Sequence, residues 1–434
     1  MKVSRRLFEV VFFDNLFRLI ILWSQVQVLV GPPEKQTLIS NGGGFVFKLP
    51  ASLDLLLLDY DYLITKKGLM KIKSHFLGVF LALIFCSASS LAHKDTEPPH
   101  QTYSEGNLPL ENGSTIENFK ISYTTQGTLN ADKSNAILMV TAIGGNHHRI
   151  DYLIGPGKAL DTDKYFVICT DAIGNGLTTS PSNSQTQANI SFPEFNIRDM
   201  VNSQYRLVTE QLGINKLVAV VGASMGGMQA LQWAVSYPNA MQSVVPIIPL
   251  AKTHAWTTGV LEMLRQSIMT DPGYQGGKYD KPVEKGMRLW AGWLSGVIVR
   301  TPNYQNQQFN TPEAEINFIN KLEDASWKRM DANDWIWQSR AYDRHDIGQT
   351  KGFNGDTIAA LKSIKAKTLI LAGTGDLLNP ESDAKESAKY IPKAKYVPIN
   401  DVIPMGHLSG AGATPNENEV QNKVIKQFLS ALNK

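Results

Sequence analysis

Leu217-Val-Ala-Val-Val221 runs straight into Gly222-Ala223-Ser224-Met225-Gly226-Gly227, and Met228, Leu231 and Val235 follow at helical spacing up to Tyr237-Pro238. A continuous apolar run, a glycine-rich hinge and an amphipathic stretch that stops at a proline predict a strand, a sharp turn and a helix. Glycines two residues before and two after Ser224 fit a turn so tight that side chains there would strike the strand or the helix. The turn also sets the serine at a helix amino terminus, where unpaired N–H groups and the helix dipole favour a developing negative charge.

Working outward from this turn, short apolar runs recur at Ala136–Thr141, Tyr165–Thr170, Leu217–Val221, Ser243–Ile248, Thr368–Ala372 and Ala394–Val397, with helical stretches between them. That alternation predicts an α/β fold with a mostly parallel sheet and helices on both faces. From Lys252 to Ser363 strand signals are sparse and six tryptophans occur, Trp256, Trp290, Trp293, Trp327, Trp335 and Trp337, so this stretch is expected to form an inserted helical lid. At the carboxyl end Val420, Val424, Ile425, Phe428 and Leu432 are spaced to pack a closing helix.

A serine hydroxyl is a weak nucleophile and needs a base in hydrogen-bond reach, with an acid to orient that base. Thr368-Leu-Ile-Leu-Ala372 leads into Gly373-Thr-Gly-Asp376, which sets Asp376 at the carboxyl end of a strand. His407, in Pro404-Met-Gly-His407, follows the next strand and precedes the last helix, giving the chain order Ser, Asp, His. Of the other histidines, His75, His93 and His100 lie near the amino-terminal segment and His254 and His345 in the lid. His147-His148 shows no further ligands at metal-binding spacing, so no metal is expected. An oxyanion hole would draw one donor from the Met225 N–H and the other from the turn after the first strand, at Ile143 in Ile143-Gly144-Gly145, where a plain turn is the alternative.

The chain has 434 residues, 43% hydrophobic and 19% charged, enough for a large core, and its 42 Lys+Arg against 39 Asp+Glu form no basic stripe. Nucleic acid is therefore not an expected partner. Met70-Lys-Ile-Lys73, the apolar run Phe76 to Phe85 and the small-residue ending Ser90-Leu91-Ala92 have the order of a secretory signal peptide, residues 70–92. The run is shorter than the roughly 20 residues of a membrane anchor. Residues 1–69 then read as an upstream extension rather than part of the catalytic domain, 93–434, and the expected location is periplasmic or secreted. Without residues 1–92 the chain keeps 32 Lys+Arg against 33 Asp+Glu, and Cys169 is its one cysteine because Cys86 lies in the signal. No internal disulfide can form, and Cys169 is expected inside a strand.

At several further places the chain resembles the homoserine O-acetyltransferase family, which has the α/β-hydrolase fold, from about residue 120 to the end. The likeness lies in Gly155-Pro-Gly-Lys-Ala-Leu-Asp161, Phe192-Pro193, Ile197-Arg-Asp-Met200, Ser224-Met-Gly-Gly-Met-Gln-Ala230, Asp271-Pro272, Gly276-Gly277-x-Tyr279 and Asp343-x-His345-Asp346. The resemblance implies a covalent acyl-enzyme on Ser224, filled from a thioester such as acetyl-CoA as co-substrate and emptied by an acceptor hydroxyl. His407 would act as base and then acid, Asp376 would hold its tautomer, and no bound cofactor is implied. Arg265 matches the family's carboxylate-binding arginine, with a plain surface arginine as the alternative, and a homodimer through the lid helices is implied. Two departures stand out: Leu408 follows His407 where the family usually carries an aspartate that holds the substrate's amino group, and Trp290-Ala-Gly-Trp293 to Val299-Arg300 replaces a typical lid motif. The readings left open are an exported esterase-like hydrolase, a cytoplasmic homoserine O-acetyltransferase, and an idle scaffold of the same fold.

Overall fold

The computed structural model describes residues 100–400 and 403–432 in full, and before them six three-residue strands. Two compact units divide the chain at Glu97/Pro98. In the first, Leu7–Glu9 pairs antiparallel with Thr37–Ile39, Phe45–Phe47 with Leu56–Leu58, and Leu63–Thr65 with Gly68–Met70. Residues 71–92, which hold all of the expected export signal except Met70, lie outside the described residues.

The second unit is built on an eight-stranded sheet of β1 (Gln101–Pro109), β2 (Thr115–Gln126), β3 (Ala136–Val140), β4 (Phe166–Thr170), β5 (Leu217–Ala223), β6 (Met241–Ile247), β7 (Lys367–Gly373) and β8 (Ala394–Ile399). Their order across the sheet is β8-β7-β6-β5-β3-β4-β2-β1, with β3 to β8 parallel and β1 and β2 antiparallel at one edge. All six strands read from apolar runs are present, with ends shifted by a residue or two. Every residue of β5 is buried, as expected for a central parallel strand covered on both faces. Cys169 is buried in β4.

The pair β1–β2 does not announce itself in the sequence. Its strands mix Gln, Ser, Glu and Asn with apolar residues, one face is largely exposed, and bulges at Ser104/Gly106 and Gly106/Leu108 break the alternation.

Helix α1 (Ile197–Arg206) opens with a capping box in which Asn196 accepts the Asp199 N–H while Asp199 accepts that of Asn196. Helix α2 (Met225–Ser236) follows β5 and is buried from Met225 to Val235. Between β6 and β7 the chain is helical: α3 (Ala255–Met269), α4 (Glu284–Ala291), α5 (Pro302–Gln308), α6 (Pro312–Ser326), α7 (Ala332–Asp343) and α8 (Thr357–Lys362). Helix α7 is capped by the Asp331 carboxylate and buries Trp335, Ile336, Trp337 and Tyr342. Each large side chain of this kind contributes roughly 1.5–3 kcal/mol on burial. Helix α9 (Glu381–Tyr390) links β7 to β8, and α10 (Pro415–Ser430) closes the chain with Ile425 and Leu429 inward. Among the described residues no helix is long and apolar enough to cross a membrane.

Candidate active site

The turn between β5 and α2 is as tight as its glycines predict. A Cβ on Gly222 would stand 2.5 Å from the Gly226 carbonyl oxygen, and one on Gly226 would collide with the Val140 carbonyl oxygen. With those neighbours so close, Ser224 is held at φ 59°, ψ −123°, a conformation that costs a non-glycine residue about 1–3 kcal/mol. The strain turns the Ser224 side chain out of the strand and onto the carboxyl edge of the sheet.

There it meets the other two residues expected from the sequence. His407 Nε2 lies 2.9 Å from Ser224 Oγ, and His407 Nδ1 lies 2.8 Å from Asp376 Oδ2. Ser224, Asp376 and His407 are all buried. Asp376 is fixed in turn, since its Oδ1 accepts the N–H groups of Leu378 at 2.8 Å and Asn379 at 2.9 Å. Such a chain can draw the serine proton to the imidazole, with the carboxylate stabilising the charge that forms.

The two expected oxyanion donors come from neighbouring turns. The Met225 N–H belongs to the first turn of α2, where no intrahelical acceptor is available. Among the described residues the N–H of Ile143 has no hydrogen-bond partner, whereas Gly144 N–H is taken by Gln338 Oε1 at 3.0 Å. Gln229 ties the two turns together by donating its side-chain N–H to Thr141 O at 2.8 Å and to Met225 O at 3.2 Å.

The helical insertion is stitched to the loops that carry Asp376 and His407. Trp256 Nε1 and Thr257 Oγ1 donate to the carbonyls of Leu377 and Leu378, Thr301 Oγ1 donates to Pro404 O, and Leu408 N donates to Val299 O. A cavity of about 520 Å³ borders Leu377, with Val297, Arg300, Phe309 and Glu315 in its wall; Ser224, Asp376 and His407 do not line it.

Two residues of the site had no sequence signal. Tyr342, on α7, donates to Asn379 Oδ1 at 2.6 Å, and Asn379 Nδ2 donates to Ile248 O at 2.7 Å. Burial raises the pKa of the phenol, and Ser224 and Asn379 oppose that rise. Both contacts join residues far apart in the chain, so no local pattern marks them.

Arg265 lies on α3 and is buried rather than at the surface. Its Nη2 is 2.6 Å from Asp343 Oδ2 and 2.8 Å from Glu262 Oε2, and Nη1 donates to Ser339 Oγ at 3.2 Å. Two carboxylates thus already balance its charge. Leu408 is half-buried and packs with the main apolar core, so the position after His407 supplies no carboxylate.

His147, read without partners from spacing, is joined in space by His100 and Asp171, with candidate ligand atoms within 4.8 Å of one another. The Asp171 carboxylate is filled by protein donors: Oδ1 accepts from His147 N and Asn175 Nδ2, and Oδ2 from Ser122 Oγ and His147 Nδ1. That saturation fits a structural tie under β2 and β4.

Comparison with known proteins agrees with this geometry. Residues 135–411 match the model of the α/β-hydrolase fold. A probable esterase of Corynebacterium glutamicum is 33% identical over 354 residues, which cover 78% of this chain and 97% of the relative. A homoserine O-acetyltransferase of Leptospira biflexa is 32% identical over 353 residues, covering 75% of this chain and 91% of that protein. The crystal structure of an acetylester hydrolase from Corynebacterium glutamicum superposes with a TM-score of 0.71 at 32% identity, covering 76% of this chain and 96% of the other. By fold, by the order of its strands and by these relatives, the chain belongs to the α/β-hydrolase fold family, among the enzymes that include homoserine O-acetyltransferases and esterases.

Proposed function

We propose that the protein is a serine-dependent ester hydrolase that works through a covalent acyl-enzyme. The observation that carries this reading is the buried hydrogen-bonded chain from Ser224 through His407 to Asp376. In the first half, His407 Nε2 takes the Ser224 proton as Oγ attacks the ester carbonyl. The carbonyl oxygen becomes an oxyanion facing the N–H groups of Met225 and Ile143. Collapse of this adduct breaks the bond to the alcohol, which leaves with the proton from His407. In the second half, His407 takes a proton from water, the hydroxide attacks the acyl-serine, and the carboxylic acid departs as Oγ recovers its proton.

Water or an uncharged alcohol is favoured as acceptor over homoserine for two reasons. Leu408 offers no carboxylate to an ammonium group, and the Arg265 charge is already balanced by Glu262 and Asp343. Desolvating an ammonium without a partner costs about 2–5 kcal/mol.

The test is mass spectrometry of the Ser224 peptide after rapid quenching with a short acyl ester and, separately, with acetyl-CoA. A mass gain of one acyl group on that peptide, absent in Ser224→Ala, is expected. Turnover of the ester by the Ser224→Ala protein at the wild-type rate would overturn the proposal.

A further inference from the structure

The loop that follows the Ile143–Gly145 turn carries an arginine, Arg149, whose charge is answered by no side chain among the described residues. Arg149 packs its Cδ against the backbone of that turn: a Cβ on Gly145 would stand 3.5 Å from Arg149 Cδ and 3.2 Å from Ala142 O. Its Nε is sealed from solvent and has no acceptor. Among the described residues no carboxylate lies within ion-pair distance of Arg149, and no aromatic ring stacks on it.

The other described arginines are accounted for. Arg198, Arg206, Arg265, Arg288, Arg340 and Arg344 each reach a carboxylate. Arg300 donates to Ser295 O at 2.9 Å and lies over the Phe318 ring, and Arg329 is exposed. Arg149 alone combines a half-buried position and a sealed Nε with no partner among the described residues, and burial pushes its pKa down. Three residues on, the Tyr152 hydroxyl lies 2.8 Å from Gln421 Oε1 and 3.2 Å from Gly410 O. Gly410 belongs to the 3-10 turn Gly406–Ala411 that begins one residue before His407. Arg149 therefore stands beside the turn that offers Ile143 N–H, and Tyr152 on the same loop reaches the turn that carries His407.

A guanidinium with its Nε sealed from solvent and no counter-charge is a standing cost, and the planar fork of its outer N–H groups matches the two oxygens of a carboxylate or phosphate. A substrate that brings its own anion removes that cost at the moment of binding. We infer that Arg149 forms an anion subsite at the edge of the acyl-transfer site, so that the preferred esters carry an oxyacid group, carboxylate or phosphate, away from the scissile bond. The inference rests on the ester-hydrolase reading for its kinetic arm and is independent of it for its binding arm.

The kinetic arm compares 4-acetoxybenzoate with its neutral methyl ester, and mono-p-nitrophenyl succinate with p-nitrophenyl pentanoate, which places the carboxylate on the alcohol or on the acyl side. Wild-type enzyme is expected to show a lower KM for the charged member of at least one pair. Arg149→Gln should raise that KM about ten- to a hundredfold, the scale of one lost charged hydrogen bond, with kcat within about twofold. The neutral esters should not change, and Arg149→Lys should keep part of the preference. The binding arm follows benzoate and inorganic phosphate by calorimetry, and separates carboxylate from phosphate recognition. Binding of either, weakened by the same factor in Arg149→Gln, is expected. Equal KM values for charged and neutral esters in the wild-type enzyme, together with no binding of either anion, overturn the subsite even if the variant fails to fold. Loss of all ester turnover in folded wild-type protein overturns the hydrolase reading instead, and the binding arm still decides on Arg149.

Discussion

Tyr342 and Asn379 share a buried hydrogen bond of 2.6 Å that joins helix α7 of the insertion to the loop holding Asp376. Asn379 spends its N–H on the Asp376 carboxylate and its side-chain amide on Ile248 O, so its Oδ1 can only accept, and Tyr342 is the donor that fills it. The insertion thereby helps to set the angle of the acid.

Tyr342→Phe leaves Asn379 Oδ1 buried without a donor. That should lower unfolding free energy by about 1–3 kcal/mol and reduce kcat, because the Asp376 loop loses one of its ties. Urea unfolding and steady-state turnover of a neutral acetyl ester check this. An unchanged midpoint with unchanged kcat would mean that a water replaces the phenol at no cost.

The acid itself is a sharper case. Asp376→Asn keeps the size of the side chain and removes the charge that steadies a protonated His407, so kcat should fall by about three to four orders of magnitude with folding intact. Glu381 and Asp383 lie in the first turn of α9 and serve as controls. A larger loss on replacing either of them would show that Asp376 is not the acid.

Stability should also depend on pH through Glu105. Burial, opposed by Arg206 at 3.2 Å, lifts the Glu105 carboxyl from 4.5 to about 8. A carboxyl raised in the folded state binds its proton there and not in the unfolded chain, so its contribution is full below about pH 4.5 and is lost as pH rises towards 8. Glu105→Gln lacks this loss. Melting temperatures between pH 5 and 8 should fall more steeply for wild type than for the variant, by the equivalent of about 1–3 kcal/mol; parallel curves would contradict it.

Much of the site is written in local patterns. The six parallel strands are short apolar runs, the serine turn is fixed by glycines whose Cβ atoms would strike backbone, Asp376 stands just past the end of β7, and His407 lies between β8 and the last helix. What escapes is held by contacts between distant residues. Gln338 reaches the Gly144 N–H across 194 positions, Tyr342 finds Asn379 across 37, and Asp343 of α7 meets Arg265 across 78. Strands β1 and β2 escape for another reason: half their surface faces water, so their polar residues hide the strand period.

Export is read from residues 70–92 and is tested on the native protein. Amino-terminal sequencing should find a start near His93, and envelope or medium fractions should hold the activity. A peptide from 31–50 in the native protein would show that the upstream segment is kept and that the signal is not used.

On the proposed hydrolase reading, the choice of acceptor follows from what stands beside His407. Leu408 is half-buried among apolar neighbours and its N–H is fixed to Val299 O at 3.1 Å, so the position is rigid in backbone and blind to charge. An aspartate placed there would add a carboxylate without moving the loop, because the bond to Val299 uses the main chain. Leu408→Asp should therefore raise acetyl transfer to homoserine at the expense of hydrolysis, about tenfold or more if the new pair recovers even 1.4 kcal/mol. The gain is bounded by Arg265, whose pairing with Glu262 and Asp343 must loosen before it can hold a carboxylate, so Glu262→Gln in the same chain should increase it. Product analysis with acetyl-CoA and homoserine separates the two fates of the acyl group. Efficient, saturable transfer to homoserine by the unmodified protein, faster than its hydrolysis of acetyl-CoA, would show that the ammonium finds another partner and that the acceptor is an amino acid after all.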